Sequence, residues 1–272
     1  MCLPATLQTI QSWLSWPLLY GMGIGLAAAP ASRGATMQQA KSLKISHVVG
    51  LSHTLTPAFP SWPGYPSLQI TNTHSFEKDG FFANAWQIHE HSGTHVDAPL
   101  HFNKRAWAAA AIPEEALVAP AVIIDIRDRA KRSPDTQVTV EDLKAWEKRH
   151  GRIPKGAAVL MYSGWERRAT DQTAYRNMDT RGVMHFPGFS KEAAEFLVKE
   201  RDIRGIGVDT LSLDYGPSTD FGVHFTVLPT NRWGIENLAN LGKVPPRGAT
   251  IVVGLPKVQG ASGGPARIIA FW

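Results

Sequence analysis

Hydrophobic and polar positions alternate in blocks along this chain, and the blocks are short. Ile45 to Leu55 is apolar with small polar breaks and opens the folded region. Ala121-Val122-Ile123-Ile124-Asp125-Ile126 is rich in β-branched residues and predicts a buried strand. Ala157 to Met161, Ile206 to Asp209, Thr250 to Gly254 and Ile268 to Phe271 predict further strands of the same kind. Between them the period changes. A helix is predicted over about Val140 to His150, with Leu143 and Trp146 on one face and Gly151 at its stop. Thr139 stands three residues before Asp142, the spacing of a capping box. Ser190 can cap a second helix through about Glu200 that buries Ala193, Ala194, Phe196 and Leu197. Strands interleaved with helices predict a single α/β domain over residues 45–272, with a mixed central β-sheet flanked by helices.

Two stretches fit neither period. Thr56 to Pro66 carries Pro57, Phe59, Pro60, Trp62, Pro63, Gly64, Tyr65 and Pro66. So many prolines exclude a central strand. A stiff aromatic loop either walls a pocket or packs on the body as a flap. The other stretch, His91-Ser92-Gly93-Thr94-His95-Val96-Asp97-Ala98-Pro99-Leu100-His101-Phe102, places His91, His95, Asp97 and His101 all at odd positions. In extended chain such residues share one face, yet at roughly 3.3 Å per residue His91 and His101 would stand about 33 Å apart. Gly93 and Pro99 argue against a helix. The chain must therefore curl, and Ser92-Gly93-Thr94 and Ala98-Pro99 are the expected bends.

Composition narrows the chemistry of that cluster. Cys2 is the only cysteine, so a thiolate cluster and an internal disulfide are excluded, and any metal must be held by His, Asp and Glu. Imidazoles with a carboxylate suit zinc, manganese or a similar divalent ion. The plainer reading is that these histidines satisfy backbone groups in a loop; four such residues in one short stretch favour the metal. The net charge of +5 comes from 28 basic and 23 acidic residues, dispersed along the chain, so no nucleic-acid track is expected. There is no glycine-rich phosphate loop in strand-turn-helix context.

Residues 1–32 contain no Asp, Glu, Lys or Arg, and Trp13 to Ala29 is largely apolar before Ala27-Ala28-Ala29-Pro30-Ala31. Residues 1–36 therefore read as a removable export signal rather than a stable membrane anchor, which predicts a periplasmic or secreted protein. A positive n-region is missing. If Met37 is the true start, a cytoplasmic protein is expected instead.

In the second half, Gly207-Val208-Asp209-Thr210-Leu211-Ser212-Leu213-Asp214 puts carboxylates after an apolar run. Asp209 and Asp214 either support metal ligands from behind or bond backbone groups. His224 alone reads as a satisfied core histidine. Glu236, beside Ile235 and Leu238, is more telling, because a carboxylate is costly to bury unless it is paired or metal-bound.

His91-x-Gly93-Thr94-His95-x-Asp97-x-Pro99-x-His101-Phe102 resembles the signature of the cyclase-like metal-dependent hydrolases, the family of bacterial kynurenine formamidase and isatin hydrolase. The likeness extends from about Ile45 to the C-terminus, through Gly-Val-Asp-Thr and Ile235-Glu236-Asn237-Leu238. The resemblance implies that His91, His95 and Asp97 bind one metal. It implies that Asp97 bridges to a second ion held by His224 and Glu236, although some members keep a single manganese. It further implies His101 as general acid/base, Trp62 at the substrate, and a homodimer or higher homo-oligomer.

The expected enzyme is a hydrolase that uses metal-activated water, Zn- or Mn-dependent with one or two ions. Its expected substrate is a small aromatic amide, either an aryl formamide such as N-formylkynurenine or a cyclic amide such as isatin. A lactone or ester hydrolase on the same scaffold is the alternative. A non-catalytic exported binding protein would leave His101 without a task.

Overall fold

The computed structural model describes residues 44–272, and the predicted leader lies outside them. These residues form one compact unit. Its frame is a nine-stranded mixed sheet. In spatial order the strands are Val48–Gly50, Arg267–Phe271, Thr250–Gly254, Val118–Asp125, Ala158–Tyr162, Gly205–Val208, Trp233–Glu236, His95–Asp97 and Gly263–Pro265. The four strands from Val118–Asp125 to Trp233–Glu236 run parallel, and the flanking pairs are antiparallel. All five predicted strands are present, Thr250–Gly254 with the predicted bounds and the others with ends displaced by at most three residues.

Sequence and space conflict at one point, and the conflict shows the shape. Gly263–Pro265 lies at one edge of the sheet, whereas Arg267–Phe271 pairs next to the opposite edge, and only Ala266 separates them in the chain. The sheet must curl until its two ends meet. Contacts across the seam agree: Ala239 N donates to Leu51 O at 2.8 Å, and Ser52 bridges Leu238.

Alternation along the strands then sorts side chains between the inside of the curl and its outer face. Ala158, Leu160 and Tyr162 join Ala121, Ile123, Trp233, Ile235 and Ile251 in the inner core. Val159 and Met161 join Val122, Ile124, Ile206 and Val208 under the helices. Gly205 fits this scheme because a Cβ there would lie 2.1 Å from the Trp233 ring, so the glycine makes room for the indole.

The helix Val140–His150 has the predicted bounds, and Thr139 and Asp142 form the capping box. Leu143 and Trp146 pack on the outer face of the sheet. Ser190 Oγ accepts Ala193 N at 3.1 Å and starts the second helix, Lys191–Phe196, which continues as a wider π turn over Leu197–Arg201. Phe196 departs from expectation. It is only half-buried, with the Arg201 guanidinium 4.1 Å above its ring.

One further element is an antiparallel hairpin, Gln69–His74 with Ala83–Gln87. No helix among the described residues is long and apolar enough to cross a membrane.

Candidate metal centre

The predicted bends bring the odd-numbered cluster together. Gly93 has φ of 63°, and a Cβ there would come within 2.6 Å of Leu55 Cδ1, so turn and packing both call for glycine. Thr94 pins the next residue pair: its hydroxyl donates to Asn237 O at 2.6 Å and accepts His53 N at 2.9 Å. His95–Asp97 is then a three-residue strand with Val96 turned into the inner core and His95 and Asp97 on the other face. Ala98 and Pro99 end it, and the tight turn Pro99–His101 folds the last imidazole back. The rings of His101 and His91 stack with centroids 4.0 Å apart.

Neighbouring strands complete the cluster. Glu236 stands opposite His95, while Gly234 and Gly263 flank Asp97 from both sides. A Cβ on Gly263 would lie 2.8 Å from His91 Cε1, so that glycine opens the space which the His91 ring fills. His224 comes from the short helix Gly222–Val227, whose first turn is capped by Asp214, with Val223 N donating to Oδ1 at 2.8 Å.

Six side chains converge as a result. His91 Nδ1 lies 2.6 Å from Asp97 Oδ1, and His95 Nε2 lies 3.4 Å from that oxygen and 3.3 Å from Glu236 Oε2. His224 Nε2 lies 3.5 Å from Asp97 Oδ2 and 3.2 Å from Glu236 Oε1. His91, Asp97 and His101 can each offer one donor atom within 4.8 Å of the others, and so can His95, Asp97 and Glu236.

The far nitrogens show why this is more than an ion-pair network. His95 Nδ1 faces the Gly93 carbonyl at 2.9 Å and must donate to it. His224 Nδ1 lies 2.6 Å from Asp214 Oδ2 and donates likewise. Each ring therefore turns its other nitrogen toward the carboxylates. His95 Nε2 and Asp97 Oδ2 are buried with no well-aligned hydrogen-bond partner. A divalent cation among these atoms satisfies both at once, so the donor set fits a metal ion.

Electrostatics point the same way. Burial opposes charge on His95, but the nearby carboxylates of Asp97 and Glu236 outweigh it and push the imidazole up to about 10. His224 is raised well above the ordinary histidine range, against burial, by Asp214, Asp97 and Glu236. Asp97 is held well below the carboxylate range, also against burial, by His224, His91 and His95. The centre calls for positive charge. His101 behaves differently: burial lowers it to about 4, so it is neutral near pH 7.

Above the cluster opens a cavity of about 140 Å³. Trp62 and Tyr65 of the proline-rich loop wall it, facing Phe102 and Phe221. Both readings of that loop hold, for different residues, since Phe59 instead packs against Tyr175 in the body, with ring centroids 6.3 Å apart. Arg176 anchors the loop by donating from Nε to Ser61 O at 2.8 Å.

His91, His95, Asp97, His101, His224, Glu236 and Trp62 thus all border one cavity. The two aspartates left open divide. Asp214 orients His224, whereas Asp209 accepts from Ser163 N, Ser163 Oγ, Gly164 N and Trp165 N and bonds backbone groups. Sequence reasoning missed Ser262 and Glu90. Ser262 Oγ lies 3.0 Å from His91 Nε2 and 2.5 Å from Glu90 Oε2. Ser262 sits in a Gly-rich run that reads as a turn; Glu90, next to His91, was the available signal.

A family model described as "Putative cyclase" matches residues 49–215. The chain belongs to the cyclase family of metal-dependent hydrolases. It is an enzyme. The hydrolase is 34% identical over 215 residues to isatin hydrolase from Roseibium aggregatum, covering 75% of this chain and 81% of that protein. It is 27% identical to kynurenine formamidase from Salinibacter ruber, over 82% and 96% of the two chains. Among solved structures, isatin hydrolase A from Ralstonia solanacearum superposes with a TM-score of 0.79 at 36% identity, over 83% and 91% of the chains. An isatin hydrolase bound to the product analogue thioisatinate matches with the same TM-score at 31% identity, over 83% and 92%.

Proposed function

We propose that this hydrolase cleaves the amide bond of a small aromatic substrate, a carbon–nitrogen bond other than a peptide bond. An aryl formamide such as N-formylkynurenine and a cyclic amide such as isatin are the two candidates. The observation that carries this reading is an aromatic-walled cavity set directly over the His/Asp/Glu cluster. Similarity to isatin hydrolases, one of them bound to thioisatinate, supports it.

In this reading His91, His95 and Asp97 would hold one ion, and His224 and Glu236, with Asp97, would hold a second. Such an ion, Zn or Mn, would supply Lewis acidity, lowering the pKa of water from about 15.7 to about 7. The remaining work belongs to the chain. Trp62 and Phe221, with rings 6.3 Å apart, hold the aromatic part of the substrate against the cavity wall. Asp214 keeps His224 in one tautomer. His101 stands beside the cluster without a fixed hydrogen-bond partner of its own and is neutral, so it accepts a proton from the attacking water and delivers it to the departing nitrogen. Such transfer is worth roughly 10² to 10⁴ in rate.

The test pairs metal analysis of protein purified without added metal with hydrolysis of aryl formamides, isatin and lactones before and after chelation. Chelator-sensitive opening of isatin or of an aryl formamide supports the proposal and chooses between the two. Turnover of lactones alone, or bound metal with no turnover, would overturn it.

A further inference from the structure

We infer that the Glu90–Ser262 pair fixes His91 in the tautomer opposite to that of His95 and His224, so that His91 meets the metal through Nδ1 while the other two use Nε2. This rests on the metal centre proposed above. It follows from counting protons along one chain of contacts. Ser262 Oγ has a single proton, and Glu90 Oε2, an acceptor 2.5 Å away, takes it. The Ser262 backbone N also donates to Glu90 Oε2, at 2.9 Å, so the carboxylate is held from two directions. Ser262 Oγ is left as an acceptor toward His91. His91 Nε2, 3.0 Å away, must therefore carry the proton.

The consequence lies on the other side of the ring. A metal-bound imidazole keeps only one N–H, so with that proton on Nε2 the ring presents the lone pair of Nδ1 beside Asp97 Oδ1, 2.6 Å away. Two acceptors that close repel unless a cation lies beside both. His95 and His224 reach the cluster in the reverse sense, because Gly93 O and Asp214 Oδ2 each hold Nδ1. Geometry explains the inversion. The stack on His101 and the space left by Gly263 set the His91 ring on edge, with Cε1 toward the Gly263 strand, and Ser262 is the adjacent residue of that strand's approach. Ser262 and Glu90 are thus positioning residues that act through His91.

Calorimetric titration of the metal-stripped full chain with Mn²⁺ and with Zn²⁺ tests this, with thermal melting of the metal-free protein as the control for folding. Partners behind a metal-bound histidine typically carry 10- to 100-fold in affinity. Ser262→Ala is expected to lose about that much while the metal-free melting temperature stays close to the parent's. Ser262→Thr, which keeps the hydroxyl, restores binding. Glu90→Gln, whose amide can present either oxygen or NH₂ to the serine, gives a smaller loss. In Zn²⁺-loaded protein with ¹⁵N-labelled histidine, one ligating ring shows its N–H at Nε2, and Ser262→Ala broadens or removes that signal. Unchanged affinity in Ser262→Ala, or a Zn²⁺-loaded parent in which every ligating histidine carries its proton on Nδ1, would overturn the inference and leave the proposed function standing. A parent that binds neither ion would instead overturn the metal reading itself.

Discussion

Asp97 and Asp209 are both fully buried carboxylates at strand ends, and they do opposite things. Asp209 is surrounded by donors. Three successive backbone N–H groups and the Ser163 hydroxyl close around it, tying the end of Gly205–Val208 to the turn after Ala158–Tyr162. Burial still raises its carboxyl to about 6. Asp97 is surrounded by imidazoles whose own second nitrogens are already committed, and one of its oxygens has no aligned partner. Burial therefore does not distinguish a working carboxylate from a structural one. What distinguishes them is whether the neighbouring protons suffice.

Asp97→Asn should have the largest effect, removing a ligand common to both proposed ions. Loss of essentially all turnover and of metal in elemental analysis is expected; activity within tenfold of the parent would place the metal elsewhere. His101→Gln comes next, with a fall of roughly 10² to 10⁴ in kcat at retained metal content. Loss of metal along with activity would make His101 a ligand instead.

Asp214→Asn should weaken metal binding by about 10- to 100-fold, read by titration, because the amide can turn its NH₂ toward His224 Nδ1 and favour the wrong tautomer. Asp209→Ala sharpens the contrast from the other side. It should cost about 2–4 kcal/mol of stability in denaturant unfolding by stranding backbone donors, with metal affinity unchanged. The Asp209 carboxyl adds a pH signature. Its folded value of about 6 lies above its ordinary 3.8, so its contribution favours folding fully below the ordinary value and is lost as pH rises through about 6. Asp209→Asn should flatten that part of the parent's stability profile.

The smallest effect is an expected absence. Since burial holds His101 at about 4 rather than 6.5, kcat/KM at saturating metal should show no limb with a midpoint near 6.5 between about pH 5 and 8. A limb there that disappears in His101→Gln would mean a solvated ring.

The sequence-structure relation differs between frame and centre. Runs such as Ala157 to Met161 are legible because burial on both faces of a parallel strand leaves no polar position. Likewise, the bends at Gly93 and Pro99 follow from local backbone chemistry. His95–Asp97, by contrast, alternates over only three residues, too few to read as a strand; pairing with Trp233–Glu236 and Gly263–Pro265 makes it one. The same holds for the aspartates. Asp209 and Asp214 look alike in one dimension, and their roles are decided by which helix and which turn arrive beside them. Ser262 was invisible because its partner stands 171 positions away.

That separation bears on the order in which the molecule assembles. Parallel pairings and contacts of long sequence separation require chain ends to meet before any interaction rewards them, so they form late. The His/Asp/Glu cluster draws on segments near residues 91, 214, 224, 236 and 262, brought together where Trp233–Glu236, His95–Asp97 and Gly263–Pro265 pair. A short early fragment contains His91, His95 and Asp97, but not His224 and Glu236. The local triad can meet an ion before the sheet is complete, whereas capture of the second proposed ion is expected to accompany the pairing of Trp233–Glu236 with His95–Asp97, making its uptake a kinetic marker of that late step.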